Sequence, residues 1–375
     1  MKKIAIIGGG AAGMTAAVLL ARKGYSVTVL ERGERLGRKL AATGNGQGNV
    51  GNINLDASHY FSDDNEKVKR LLSRFGYEDA VRFLESMGGI FLPDSRGRIY
   101  PCSRQASAVV DLFRAELNRL KCEICFHTQV KEIAYDGEFT LKWADGQMKA
   151  DAVVLAAGGK AAPKFGTDGT CYALVKPFGH IPTPTQPSLV RLRCDKEIAR
   201  RLKGIRTDCT VVLERAGKSI YQTRGDVLFT ENGVSGDAVF RASAYAEAGD
   251  TLLVDFVPEV SYEKLRAAMQ KNGLYCIVNN GLARVIEWLH KNRGVPMEEG
   301  VKNFRLTVLG KEGFEEAQVT KGGIRLAETD ENLMSNYCKN LYFAGEILNV
   351  DGECGGYNLQ WAFTSAFCVQ EGICS

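Results

Sequence analysis

The feature that most limits how this chain can fold lies in its first 31 residues. A β-branched run from Lys3 to Ile7 passes at once into Gly8-Gly9-Gly10-Ala11-Ala12-Gly13, then into Met14 to Lys23 of helical composition, closed by Gly24. A second strand, Ser26 to Leu30, ends at Glu31, about 20 residues past the glycines. The order strand, Gly-x-Gly-x-x-Gly, helix, strand, acid predicts a βαβ unit built for a dinucleotide. Gly8 serves the tight turn, Gly10 close approach to a pyrophosphate, and Gly13 close packing of helix on strand. The N–H groups around Ala11 and Ala12 then face the anion, and Glu31 accepts hydrogen bonds from a ribose. The same run imitates an export signal, with two lysines ahead of an uncharged stretch from Ile4 to Ala21. Four glycines interrupt it where a membrane helix would carry Leu or Ile. No other long apolar stretch follows, so the expected protein is soluble and cytoplasmic.

A chain of 375 residues exceeds one ordinary core. Helical patterns span Asn65–Phe75, Glu78–Met87 and Gln105–Leu120, and strands are expected at Glu123–His127, Thr140–Trp143 and Ala152–Ala156. Four prolines between Pro177 and Pro187 mark an extended connector. The expected division is a first part at 1–187, an insert at 188–318 (β-rich with short strands over 188–256, helical over 257–300), and a second part at 319–375.

The residues after Glu31 separate FAD from NAD as the bound dinucleotide. A simple dehydrogenase would start another βαβ unit, whereas here Arg32 leads into "GRKLAATGNGQGNV" at 37–50, nearly bare of apolar side chains. Such a loop lets backbone and amide groups reach a ligand larger than the near half of NAD. At the other end, Gly345-Glu346 follows the strand "LYFA", which sets Glu346 at a strand end to reach ribityl hydroxyls. Gly355-Gly356 opens an amphipathic helix whose N–H groups would face the electron-rich edge of a reduced flavin. An Asp at position 356 is therefore expected to be accepted.

The loop is similar to the hallmark segment of the BaiN/YhiN-like flavoproteins, FAD-dependent oxidoreductases that include aminoacetone oxidase-like and dehydro-bile-acid reductase-like members. The resemblance continues through "GRIYPCSRQASAVVDLF", "VVLAAGGKAAPKFGTDG", "GDVLFTENGVSG", "QVTKGGIRLAE" and "LYFAGEILNVDGECGGYNLQWAFTSA", nearly the whole chain. It implies an α/β fold in which a Rossmann-like FAD-binding domain, of the two-dinucleotide-binding-domain type, is split by an inserted β-rich and helical substrate domain. The residues it sets at the cofactor, beside Gly8, Gly10, Ala11, Ala12, Gly13 and Glu31, form two groups. Arg32, Arg38, Lys39, Thr43, Gly44, Asn45, Gly46 and Val130 are the first. Ala156, Ala157, Gly158, Gly345, Glu346, Gly355, Gly356, Asn358 and Leu359 are the second. The implied activity is NAD(P)H-dependent reduction of a conjugated C=C bond in a steroid-like or other hydrophobic acid, with NAD(P)H a transient donor. Amine oxidation that releases hydrogen peroxide, and flavin binding without turnover, are the alternatives. Two departures stand out: Gly46-Gln47-Gly48-Asn49 replaces the usual Gly-Arg-Cys-Asn, and Asn349 stands where aspartate is usual.

No side chain declares itself as the proton donor. Tyr100, Cys354, Tyr357 and Glu353 are candidates by position. Cys122 and Cys125 lie three apart in a strand, on opposite faces, which excludes a disulfide between them. An odd count of eleven cysteines without framework spacing argues for reduced thiols. No Cys/His group completes a metal site, and His59, His127, His180 and His290 are dispersed and read as structural. "VRLRCDKEIARRLKGIR" at 190–206 holds seven basic residues against two acidic ones and reads as a solvated face. A formal charge of +4 is too small for a dedicated nucleic-acid binder.

Overall fold

Strands β1 (Lys3–Ile7) and β2 (Ser26–Leu30) pair in parallel through the helix α1 (Ala11–Arg22) that joins them. The structure is a computed structural model and describes residues 2–375. With β3 (Glu123–Cys125), β4 (Ala152–Leu155) and β5 (Leu341–Phe343) they make a wholly parallel sheet in the order β5-β4-β1-β2-β3. The central strands are buried on both faces, which is why they read as unbroken runs such as IAII and AVVL. This is the expected Rossmann-type α/β arrangement. An antiparallel meander over Glu132–Tyr135, Phe139–Trp143 and Gly146–Ala150 lies between β3 and β4 in sequence.

Two compact units are distinguished, Met1–Gln186 with Val319–Ser375, and Pro187–Gln318. In the first, the glycine turn seats α1 hard against the sheet. A Cβ on Gly13 would stand 1.9 Å from the Gly8 carbonyl oxygen, and one on Gly8 would stand 2.6 Å from that of Ala156. The C-terminal helix, Tyr357–Cys374, packs along α1, whose Ala12, Ala16 and Ala17 are buried. The sequence suggested an amphipathic helix here, but it is buried nearly all round. Its polar residues turn inward and are held there: Thr364 Oγ donates to Phe75 O at 2.8 Å and Ser365 Oγ to Trp361 O at 2.7 Å.

A buried polar chain crosses the same unit. Ser335 Oγ accepts from the backbone N–H groups of Tyr337 and Cys338 at 3.1 Å and lies 2.7 Å from His180 Nε2. His180 Nδ1 lies 2.8 Å from Glu328 Oε2, while Arg325 donates to Glu328 Oε1. Burial pulls the His180 imidazole below its ordinary value against the pull of Glu328, so the neutral ring donates from Nδ1 and accepts the serine hydroxyl at Nε2.

Glu116 ties the helix Ala106–Arg119 to α1. It accepts from Arg119 at 2.7 and 2.8 Å and from Arg22 at 2.8 Å. The Arg119 hydrogen bonds, helped by Arg22, outweigh burial and bring its carboxyl down to about 2. A depressed carboxylate contributes stability above its unfolded value, near 4.5, that is lost as pH falls toward 2. Glu116→Gln is therefore expected to lower stability at pH 7 by on the order of 2 kcal/mol and to flatten the acid limb of a urea-midpoint profile between about pH 4.5 and 2.

The second unit carries its own core around a seven-stranded antiparallel sheet. The strands expected to be short include a long hairpin, Arg206–Arg215 with Lys218–Phe229. Alternation of buried Cys209, Val211 and Leu213 with the less buried Asp208, Thr210, Val212 and Glu214 keeps it in register until the irregularity at Leu213/Glu214. Helices Tyr262–Asn272 and Asn280–Arg293 fall within the stretch read as helical. Much of the basic run at 190–206 is matched locally. Arg191 pairs with Glu316, Arg201 with Glu197, Arg200 and Lys203 with Glu231, and Arg206 with Asp226. Among the described residues no helix is long and apolar enough to cross a membrane, and no group of three or more His, Cys, Asp or Glu is placed to hold a metal.

Candidate active site

The glycine turn and Glu31 meet as their spacing required. Glu31 Oε2 accepts from Gly9 N and Oε1 from Gly33 N, both at 2.7 Å, which fixes the carboxylate beside the start of α1. Each oxygen retains capacity for a further donor. The N-cap residue of α1, Gly10, supplies no side-chain cap, and its first turn carries no acid. A Cβ on Gly10 would meet nothing within 4 Å. Open space in front of an uncapped helix start fits a diphosphate. Ala156 and Ala157 lie directly against Gly8, and Gly158 follows in the left-handed region. Val130, also expected at the cofactor, is buried in the core of this unit.

Arg32 and Arg38 reach the 160–168 loop. Arg32 pairs with Asp168 at 2.8 Å, and Arg38 Nη2 donates to Lys164 O at 2.7 Å. Arg38 Nε is buried with no partner among the described residues, an unspent donor on the wall of the site. Lys39 and Glu346, 307 residues apart, form an ion pair at 2.6 Å, and Glu346 also accepts from Thr320 N at 2.9 Å. Gly345 packs against Ala12, donates to Ser365 Oγ at 2.8 Å and accepts from Trp361 Nε1 at 3.2 Å. Thr43 leads into an exposed turn in which Gly44, Asn45 and Gly46 all have positive φ.

The third cluster surrounds Gly355 and Gly356. Gly356 has φ 102°, and a Cβ there would stand 2.4 Å from the Gly51 carbonyl oxygen and 2.8 Å from Asn49 Oδ1. The expectation that Asp is accepted at 356 is therefore corrected: the left-handed backbone and a strand carbonyl both forbid it. Asn52 Nδ2 donates to Gly355 O at 3.1 Å. Asn358 is turned onto the Gly352 backbone, accepting from its N–H at 2.8 Å and donating to its oxygen at 2.7 Å, so its amide braces the chain. Leu359 is half-buried against the core. Two buried amide oxygens beside this turn, Asn49 Oδ1 and Gln360 Oε1, have no partner among the described residues. They suit a ligand that brings N–H donors, as a flavin ring does.

Sequence reasoning missed one residue here. His59 Nδ1 lies 3.0 Å from Glu353 Oε2, and its ring stacks on Tyr357 at 4.3 Å and 21°. The strand pairing Tyr60–Ser62 with Val350–Gly352 brings them together, and Glu353 N donates to His59 O at 2.9 Å. No local motif announces a pair 294 residues apart. Of the candidates named from sequence, Tyr100 is 6 % exposed, with the Arg104 guanidinium 4.1 Å from its ring centre. Burial raises its phenol above the usual value against Arg98 and Arg104. Cys354 is half-buried.

Comparison with known proteins gives a consistent result. The family described as HI0933-like protein Rossmann domain matches residues 2–372. A 3-dehydro-bile acid delta(4,6)-reductase of Clostridium scindens is 35% identical over 98% of both chains. A ribosomal RNA dihydrouridine synthase of Haemophilus influenzae is 30% identical over 96% of both. Among solved structures, a 3-ketosteroid-delta4-(5alpha)-dehydrogenase from Rhodococcus jostii RHA1, in complex with 4-androstene-3,17-dione, superposes with a TM-score of 0.53 at 17% identity, covering 99% of this chain and 97% of that one. That last likeness is one of fold.

Proposed function

This chain belongs to the HI0933-like family of Rossmann-domain flavoprotein oxidoreductases, and from that premise we propose that it saturates a C=C bond conjugated to a carbonyl in a steroid-like or other hydrophobic acid, with NAD(P)H as transient donor. The carrying observation is the 35% identity over 98% of both chains with a reductase of a 3-dehydro bile acid. Bound FAD would supply hydride transfer, and the protein's part is position and electrostatics. Glu31 would hold the adenosine ribose, and the uncapped start of α1 with Arg38 the diphosphate. Lys39 and Glu346 would order the ribityl chain, and the Gly355-Gly356 turn with Asn49 and Gln360 would meet the ring. The eleven free cysteines suit a reducing compartment, the cytoplasm.

The rRNA dihydrouridine synthase relative favours a second reading, since the double bond saturated in uridine is also conjugated to a carbonyl. Against an RNA substrate stands the pairing of the 190–206 run, five of whose seven basic side chains already face neighbouring carboxylates. Amine oxidation differs in electron flow and is separated by the same measurement. In anaerobic stopped-flow mixing, the flavin of the purified protein is expected to bleach on NADH or NADPH and to be reoxidised by a 3-oxo-Δ4 steroid acid. Reoxidation only by a uridine-containing RNA would move the substrate to nucleic acid. Bleaching only by an amine such as aminoacetone, with peroxide formed on admitting air, would overturn the reductase reading.

A further inference from the structure

The geometry points to His59 as the residue that delivers the proton in this reduction, with Glu353 as its positioning residue; the inference rests on the reductase reading above. Saturating a C=C bond conjugated to a carbonyl requires a hydride at the β carbon and a proton at the α carbon. Bound FAD, reduced by NAD(P)H, would supply the hydride. The proton needs a donor at the protein surface of the site, and His59 is built as one. Its Nδ1 is engaged by Glu353 Oε2 at 3.0 Å, and the Glu353 side chain is only 11 % exposed. The ring is pinned flat on Tyr357, the first residue of the C-terminal helix. Tyr357 is itself held, its carbonyl accepting from Tyr60 Oη at 2.9 Å.

With Nδ1 engaged by Glu353, one ring face on Tyr357 and the His59 carbonyl held by Glu353 N, Nε2 is the free end of the ring and has no partner among the described residues. The His59 side chain is 32 % exposed, so the ring can be reprotonated from solvent. Protonated His59 gives its Nε2 proton to the α carbon and is left as the Nδ1–H tautomer that Glu353 already binds, which is the role of a carboxylate behind a catalytic histidine. Glu353 directly follows the strand Val350–Gly352 and stands two residues before Gly355, so the pair lies beside the cluster assigned to the flavin ring. The other candidates fit less well. Tyr100 is buried under Arg104, and Tyr357 presents its ring to the stack while its hydroxyl lies 3.4 Å from Asn54 O.

The test uses FAD-loaded wild type, His59→Asn and Glu353→Gln. Each is reduced anaerobically with NAD(P)H and then mixed either with the 3-oxo-Δ4 steroid acid or with ferricyanide, which takes electrons without placing a proton on carbon. Loss of a positioned acid is expected to slow reoxidation by the enone ~100-fold or more in His59→Asn and roughly tenfold in Glu353→Gln. Bleaching by NAD(P)H, reoxidation by ferricyanide and the Kd of the saturated product, read from its shift of the flavin band, should all stay at wild-type values. Enone reoxidation at the wild-type rate in His59→Asn overturns the assignment, as does a slowing shared equally by ferricyanide. Should His59→Asn fail to retain FAD, Glu353→Gln decides alone: the enone-specific split supports the assignment and a uniform effect removes it. A wild-type flavin that no enone reoxidises would instead sink the reductase reading, and the proton role with it.

Discussion

Gly10→Ala is expected to leave the apoprotein as stable as wild type and to strip it of FAD. The backbone at Gly10 has φ −81°, ordinary for alanine, and the new methyl would meet no atom within 4 Å. Folding has no reason to suffer. The methyl does, however, enter the space in front of α1 that a diphosphate would fill, where one misplaced carbon costs about 1–3 kcal/mol and displaced hydrogen bonds to a charged group about as much again. FAD retention should therefore fall by roughly 30-fold or more. Gly13→Ala is the contrast. Its methyl would stand 1.9 Å from the Gly8 carbonyl oxygen, so the turn must open and both stability and FAD are lost. Apoprotein melting together with flavin occupancy after gel filtration distinguishes the two. Full occupancy in Gly10→Ala would remove the diphosphate from this helix start.

The second large effect lies away from the site. Glu328→Ala should lower the unfolding free energy by about 1–3 kcal/mol, because it leaves the Nδ1–H of a buried neutral histidine with no partner among the described residues. Urea unfolding of the apoprotein measures it, and a loss near zero would mean that the network relaxes or is hydrated. Ser335→Ala should cost less and leave turnover unchanged. Serine, histidine and glutamate here are connected as in a hydrolytic triad. Yet the ring is fully buried, and two backbone N–H groups already occupy the serine oxygen. The connectivity serves folding, with no opening for a substrate carbonyl.

What the sequence revealed was local. The strand, glycine turn, helix and acid of residues 3–31 are contiguous, so periodicity and spacing were enough, and both strand ranges agree with the structure. The resemblance carried the fold further, across both ends of the chain. Pairings made by long loops were not legible. Nothing near Lys39 calls for Glu346, nor near His59 for Glu353, because separations of about 300 residues leave no periodic trace. The C-terminal helix misled for a related reason. Its inward polar residues find partners such as the Phe75 carbonyl on another element, so polarity there did not mean solvent. The error at Gly356 came from treating a helix start as generic, when the strand carbonyl opposite it leaves no room for any side chain.

The parallel sheet bears on how a ribosome would deliver this protein. β4 pairs with β5, Val153 beside Leu341, and α1 is covered by the last helix, Tyr357–Cys374. The edge of β4 and the alanine face of α1 thus wait for residues made after the whole of Pro187–Gln318. Synthesis at about 5–20 residues per second leaves them uncovered for on the order of ten seconds or more. During that interval the nascent first unit holds an open strand edge and an apolar helix face, the surfaces that chaperones bind and that neighbouring nascent chains can capture. A stop codon that removed only the last helix would leave the strand edge covered and the α1 face open permanently.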